Sequence, residues 1–330
     1  VSHFLNIPIN ENGVITDLNL DVDVALTAAP PFAFTDIFIY SHGWWTSDDA
    51  ASANYNTFSL GVAKNLQLLA GAVPSTLSHI KAGYSALAAA CYWPSVLSED
   101  PSSPLNLAEA ASYFTMQHRA DSVGRNAGYA LLRLLIASRA PAPPLRYNLI
   151  GHSFGCRVVL QALQSLATDV GTLAQAVAAN AEFRVVLIQA AADHDCLTAA
   201  GTYPDVVTNI PNLRLLATTS ANDIALGKWY PRAQDVAHFF SDAVPALGGV
   251  GPAPDSRFIV TDRFDVNEYA VAPTVHQAIG TFAVANLTPL HQAHAAAYQQ
   301  EMGGALPAGG QHSDIFLDEI YELVTRFVGN

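Results

Sequence analysis

Asn148-Leu149-Ile150-Gly151-His152-Ser153-Phe154-Gly155-Cys156 is the stretch whose reading decides the fold. It holds the pattern Gly-x-Ser-x-Gly. An apolar run, residues 146–150, leads into it, and a helical stretch, residues 157–166, leads out of it. A serine on so tight a strand-to-helix turn projects its hydroxyl away from the sheet. Gly151 and Gly155 suit that turn, because a side chain at either would meet the neighbouring strand or helix. The helix that follows aims its first N–H groups at negative charge forming beside the serine. Ser153 is therefore the candidate nucleophile. The plainer alternative is an ordinary glycine-rich βα turn.

Outward from this point, short apolar runs alternate with long helical stretches. The runs are residues 35–40, 87–93, 146–150, 184–191, 213–217 and 282–287. Most are nearly continuous in apolar residues, as strands covered on both faces are. Helical stretches are predicted at residues 48–69, with Ser47 as N-cap, then at 107–138, after Phe154, at 289–300 and at 315–328. Strand, helix and strand in repetition predict right-handed βαβ units. The expected fold is α/β: a mostly parallel central sheet with helices on both faces. Near the N-terminus, residues 4–9 and 14–20 flank Asn12-Gly13 and predict a β-hairpin. The chain reads as one domain over residues 1–330. Its spare length falls in two insertions, at about 229–280 and 288–311, which are expected to wall a pocket.

Composition narrows the function classes. The chain has 330 residues, 51% of them hydrophobic and 13% charged. That mixture supports a large buried core and excludes disorder. A net charge of −13 argues against nucleic acid and against an anionic membrane as partners. No uncharged apolar run approaches the ~18 residues of a membrane span, so no stable membrane anchoring is expected. Cys91, Cys156 and Cys196 lie far apart and read as reduced, buried thiols, with one disulfide plus one free thiol as the alternative. The expected compartment is the cytoplasm, with secretion after loss of a leader as the alternative.

A serine hydroxyl is a weak nucleophile near neutral pH. It needs a histidine in hydrogen-bond reach and a carboxylate to orient that histidine. On a strand–elbow–helix scaffold the chain order is Ser, then Asp or Glu, then His. Asp223 follows the run at 213–217, and Asp193 follows the run at 184–191; Asp223 is the better placed of the two. For the base, His312 in Gln311-His312-Ser313-Asp314 follows a Gly/Pro-rich loop and precedes the last helix. His291 and His294 are its rivals. Their spacing lacks the extra residue and the glutamate of a zinc-protease helix, so no metal site is expected. Acyl transfer also needs donors for a developing oxyanion, each worth about 3–4 kcal/mol. The backbone N–H groups of Trp44, after His42-Gly43, and of Phe154 are the candidates. His42 itself reads as structural. Trp45 and Trp229 are candidate pocket residues.

Taken in order, His42-Gly43-Trp44, Trp93-Pro94-Ser95, Gly151-His152-Ser153, Asn222-Asp223-Ile224-Ala225-Leu226 and His312-Ser313 resemble the α/β-hydrolase superfamily of serine esterases and lipases. The likeness is greatest to a sparsely characterised bacterial group, and it covers residues 35–328. Gln189-Ala190-Ala191-Ala192-Asp193 departs from the Ala-Pro-Asp expected there. The resemblance implies hydrolysis of carboxylic esters, with a small-molecule ester as substrate and no cofactor. The insertion aromatics (Trp229, Tyr230, Phe239, Phe240, Phe258, Phe264 and Tyr269) suit an apolar acyl chain, or else simply anchor the insertion to the body. Thioester or amide cleavage, a lipase, and a non-catalytic binding module on the same fold are the other readings.

Overall fold

The computed structural model describes residues 3–16, 34–43, 48–71, 86–95, 107–137, 145–231, 244–255, 257–266, 279–302 and 311–329. Eight strands form one sheet: β1 (His3–Pro8), β2 (Asp36–Ser41), β3 (Ala86–Tyr92), β4 (Arg146–His152), β5 (Glu182–Ile188), β6 (Leu213–Thr219), β7 (Asp262–Asp265) and β8 (Phe282–Asn286). Their order across the sheet is β1-β3-β2-β4-β5-β6-β8-β7. Every pairing is parallel. This is the α/β architecture expected from the alternation of apolar runs and helices.

Parallel strands need covering on both faces, and consecutive side chains on each strand point to opposite ones. Two apolar clusters form accordingly. On one face Ile37, Ile39, Leu149, Val185 and Leu187 pack under α2 (Leu107–Val123), α3 (Tyr129–Ala137) and α4 (Gly155–Thr168). On the other, Phe38, Tyr40, Ile150, Val186 and Ile188 pack under α1 (Asp48–Gly71) and α9 (Asp318–Gly329). Alpha9 has Asp318 and Glu319 in its first turn and Arg326 in its last, matching the helix dipole at both ends. Between α4 and β5 lies a short helix, α5 (Val170–Ala178), capped by Asp169, whose side chain accepts from the N–H groups of Gly171 and Thr172. Two further short helices, α6 (Val206–Asn209) and α7 (Leu247–Val250), precede α8 (Thr288–Met302).

Four expectations are amended. Among the described residues, the N-terminal hairpin shows only the turn and one antiparallel bridge, Ile9 to Ile15. Gly13 takes φ 74° in that turn, and β1 itself pairs with β3 in parallel. Residues 17–20 of the second arm lie outside the described residues. The helical stretch at 107–138 is interrupted by a π-helical turn at Gly124–Gly128. The run at 184–191 stops as a strand at Ile188. The insertion at about 229–280 contributes the edge strand β7, where Asp265 accepts from the Asn286 side chain of β8 at 2.6 Å.

The chain leaves β2 toward β3, then returns beside β2 as β4 and builds the other half of the sheet. The order therefore reverses between β2 and β4, the kind of crevice at the carboxyl ends of strands where open α/β sheets bind ligands. At the opposite ends of the same two strands a buried ion pair fixes their register. Asp36, 1% exposed, accepts from Arg146 at 2.9 and 2.7 Å and from Asn148 at 3.0 Å. Replacing Arg146 by Met leaves that carboxylate buried without its cation, which costs about 3–5 kcal/mol. Urea denaturation of Arg146→Met near neutral pH should show a loss of that order. A loss under ~1 kcal/mol would show that the pair is incidental to stability.

Candidate active site

Ser41 of β2 lies opposite Gly151 of β4, so both strands end together. At the end of β4 the backbone turns through Ser153, whose φ is 55°. A non-glycine residue there is strained and persists only when its surroundings hold it. Three hydrogen bonds do so. The Ser153 N–H donates to the Ile188 carbonyl at 3.0 Å, and its own carbonyl accepts from Cys156 at 3.1 Å and from Ala191 at 3.2 Å. Two glycines give it room. A Cβ on Gly43 would lie 2.7 Å from Ser153 Cβ, and one on Gly155 would fall on the Ser41 carbonyl oxygen. Phe154 is the N-cap of α4. Its ring lies between the sheet and α2, against Tyr113 at 5.1 Å between centroids.

The structure brings Asp223 and His312 together. His312 Nδ1 sits 2.7 Å from Asp223 Oδ2 across 89 positions of chain. Asp223 is 1% exposed, and its other oxygen accepts from the Leu226 N–H at 2.9 Å. An ionised carboxylate only accepts, so the ring nitrogen carries the proton and donates it. That leaves Nε2 of His312 as the basic nitrogen. Among the described residues the Ser153 hydroxyl makes no hydrogen bond to that ring. What joins them is the preceding residue, His152: its Nε2–H donates to the His312 carbonyl at 2.8 Å, and the two rings stand 5.0 Å apart.

The rival residues are engaged elsewhere. Asp193 accepts from the Tyr230 hydroxyl at 2.7 Å. The buried His291 faces the Ser220 hydroxyl through Nδ1 at 2.8 Å. His294 lies half-buried on α8, three residues from His291. Trp44 and Trp45 lie outside the described residues, as does the side chain of Trp229, whose backbone belongs to a π-helical turn at Ala225–Trp229. Within the insertion, Tyr230 and Phe258 are buried in the main core, Phe258 against Phe282 at 5.6 Å, and Phe264 packs on the second cluster. These three contacts tie the insertion to the body, one of the two roles the sequence left open for them. Phe239, Phe240 and Tyr269 are not among the described residues.

His42 does what its place after β2 suggested: its ring serves the backbone. Nδ1–H donates to the Gly43 carbonyl at 2.8 Å, and Nε2 accepts from the Trp93 N–H at 3.3 Å. The Trp93 indole N–H donates back to the His42 carbonyl at 3.2 Å, and the two rings stack 5.2 Å apart. Trp93 thus ties the end of β3 to the loop that passes Ser153. Two contacts escaped the sequence reading, those of His152 and of Gln189. Gln189 Nε2 donates to Asp223 Oδ2 at 2.8 Å and to the Gln311 carbonyl at 3.2 Å. No local pattern marks either, since each acts on chain more than thirty positions away.

Among the described residues, no group of three or more His, Cys, Asp or Glu is placed to hold a metal ion, and no helix is long and apolar enough to cross a membrane. Burial pushes the pKa of His42 down to about 4. Burial, and then the nearby His312, push His152 down to about 3. Burial also lowers His291. A histidine whose pKa is depressed on folding binds its proton more readily when unfolded. Its contribution to stability is complete above the unfolded value of ~6.5 and is lost as the pH falls toward the folded value. Urea midpoints should therefore fall between about pH 6.5 and about pH 5, above the range where most carboxylates titrate. A His42→Gln variant should show a shallower fall, and an equal slope in both proteins would contradict the assignment.

No family model, curated protein or solved structure matches the chain, so what this site can do rests on its own geometry.

Proposed function

We propose that this chain is a serine hydrolase of the α/β-hydrolase superfamily, cleaving carboxylic esters through an acyl-enzyme. One observation carries the reading. His312 returns from the far end of the chain to donate to the buried Asp223 at 2.7 Å, in a turn pinned to the residue beside Ser153. The strained backbone of Ser153 at the reversal of strand order supports it.

In this mechanism Ser153 Oγ attacks the ester carbonyl carbon while His312 Nε2 takes the hydroxyl proton. Asp223 holds the ring in the tautomer that makes this transfer work and stabilises the imidazolium. The negative oxygen of the tetrahedral intermediate is held by the N–H groups of Phe154 and Trp44. The carbon–oxygen bond to the alcohol then breaks, and His312 returns its proton to the leaving oxygen. Water attacks the acyl-enzyme by the same route, giving its proton to His312, which passes it to Ser153 as the carboxylic acid departs. The chemistry uses neither metal nor organic cofactor. The substrate is a small-molecule ester with an apolar acyl group, for which Trp45 and Trp229 are the proposed contacts.

Treatment with a fluorophosphonate and peptide mapping tests the reading. A covalent adduct is expected on Ser153 and should vanish in Ser153→Ala. Turnover of 4-nitrophenyl esters should fall ~10³–10⁴-fold in Asp223→Asn, where the ring loses its orienting charge. Absence of an adduct on any serine would favour a non-catalytic binding protein. Equal rates on short and long acyl chains would remove the apolar-acyl assignment while leaving the nucleophile intact.

A further inference from the structure

Gln189 follows directly on the last residue of β5, one strand over from the nucleophile turn. It is completely buried, and its φ is 45°, in the left-handed region that a residue with a side chain adopts only under constraint. Its backbone N–H is fixed by the hydroxyl of Thr218 on β6, at 2.9 Å. This anchor and the turn of the backbone send the side chain toward the site. There the amide nitrogen has two acceptors: Asp223 Oδ2 at 2.8 Å and the carbonyl of Gln311, the residue before His312, at 3.2 Å.

The orientation of this amide is dictated by its surroundings. Both neighbours are pure acceptors, so the NH₂ end must face them. The other end, Oε1, is buried with no hydrogen-bond partner among the described residues. An orphaned buried oxygen is unfavourable, and an aliphatic side chain would avoid it. Its presence beside a strained backbone points to a side chain retained for its donors. Both donors act on the same pair of groups. One fixes the Asp223 oxygen that meets His312. The other fixes the backbone that carries His312. The outer side of that turn is held separately: Asn222 Nδ2 donates to Gln311 Oε1 at 3.3 Å, and Gln311 Nε2 donates to the His291 carbonyl.

We propose that Gln189 is a positioning residue, setting the acid and the base relative to each other through the two hydrogens of one amide. The proposal rests on the reading of Asp223 and His312 as acid and base, and its test is separable from that reading. Two variants serve. Gln189→Met keeps the length of the side chain and removes both donors. Gln189→Glu keeps the shape, but buried beside Asp223 it takes up a proton, so a single O–H replaces two N–H donors and serves only one of the two acceptors. Among the described residues the titratable groups facing the His312 ring are Asp223 and His152, whose pKa burial lowers to about 3.

Removing a donor from Asp223 leaves more of its negative charge to stabilise the imidazolium. The titration of His312, followed by NMR on protein labelled with ¹⁵N-histidine, should move upward in Gln189→Met. The acid limb of kcat/KM should move with it. In Gln189→Met, kcat on a 4-nitrophenyl ester should fall at least ~10-fold with KM within about twofold, as expected when alignment and not binding is lost. An unchanged His312 titration in Gln189→Met overturns the proposal. So does a loss of kcat that follows a loss of folded protein while the acid limb stays in place. If Gln189→Met does not fold, Gln189→Glu decides, and a kcat equal to that of the wild type overturns the proposal. A wild-type protein with neither adduct nor turnover sinks the hydrolase reading instead, and the NMR titration still reports whether Gln189 governs His312.

Discussion

Three separate parts of the chain meet on the carboxylate of Asp223. His312 reaches it from the segment before the last helix, Gln189 from the end of β5, and Leu226 from the turn that follows it. A carboxylate 1% exposed must be satisfied by donors or neutralised. Its need for partners therefore works as a positional constraint on everything around it. The segment carrying His312 comes from outside the sheet and has no strand of its own to hold it. It is located by what it touches: Asp223 through its ring, and His152 and Gln189 through its carbonyls.

The sheet makes those contacts available. Because all pairings are parallel, the ends of β2, β4, β5 and β6 open on one edge, where Gly43, Ser153, Gln189 and Asp223 follow them. Ser153 and Gln189 occupy equivalent places after adjacent strands, and both take left-handed backbone. Strain at two such points is held by the strands behind them. The N–H of each is spoken for by the neighbouring strand, Ile188 for Ser153 and Thr218 for Gln189. Local rigidity and local strain are thus two aspects of one arrangement, and it is the stiffness of the sheet that allows the turns to be unusual.

Much of this was legible in the residues. The six apolar runs read as strands because doubly covered strands carry no alternation, and six of the eight strands were found that way. Beta7 escaped because three of its four residues, Asp262, Arg263 and Asp265, are charged, as suits a strand at the edge of a sheet. Beta5 was read too long because Ala190 and Ala191 are as apolar as the strand itself; what stops it is the backbone of Gln189. Asp223 and His312, which the structure brings together, could be picked out because one follows a strand and the other precedes the last helix. His152 and Gln189 could not, because their roles depend on partners 160 and 34 positions away, and no spacing rule connects them.

The three cysteines carry a practical corollary. All are free and buried in the apolar interior, and burial pushes the Cys91 thiol up to about 12 and the other two upward as well. Thiolate, the species that alkylating and oxidising agents attack, is therefore scarce at every sulfur while the fold is intact. Maleimides and iodoacetamide should pass over the native molecule. Loss of that indifference would register opening of the interior, which makes the sulfurs a built-in gauge of folding.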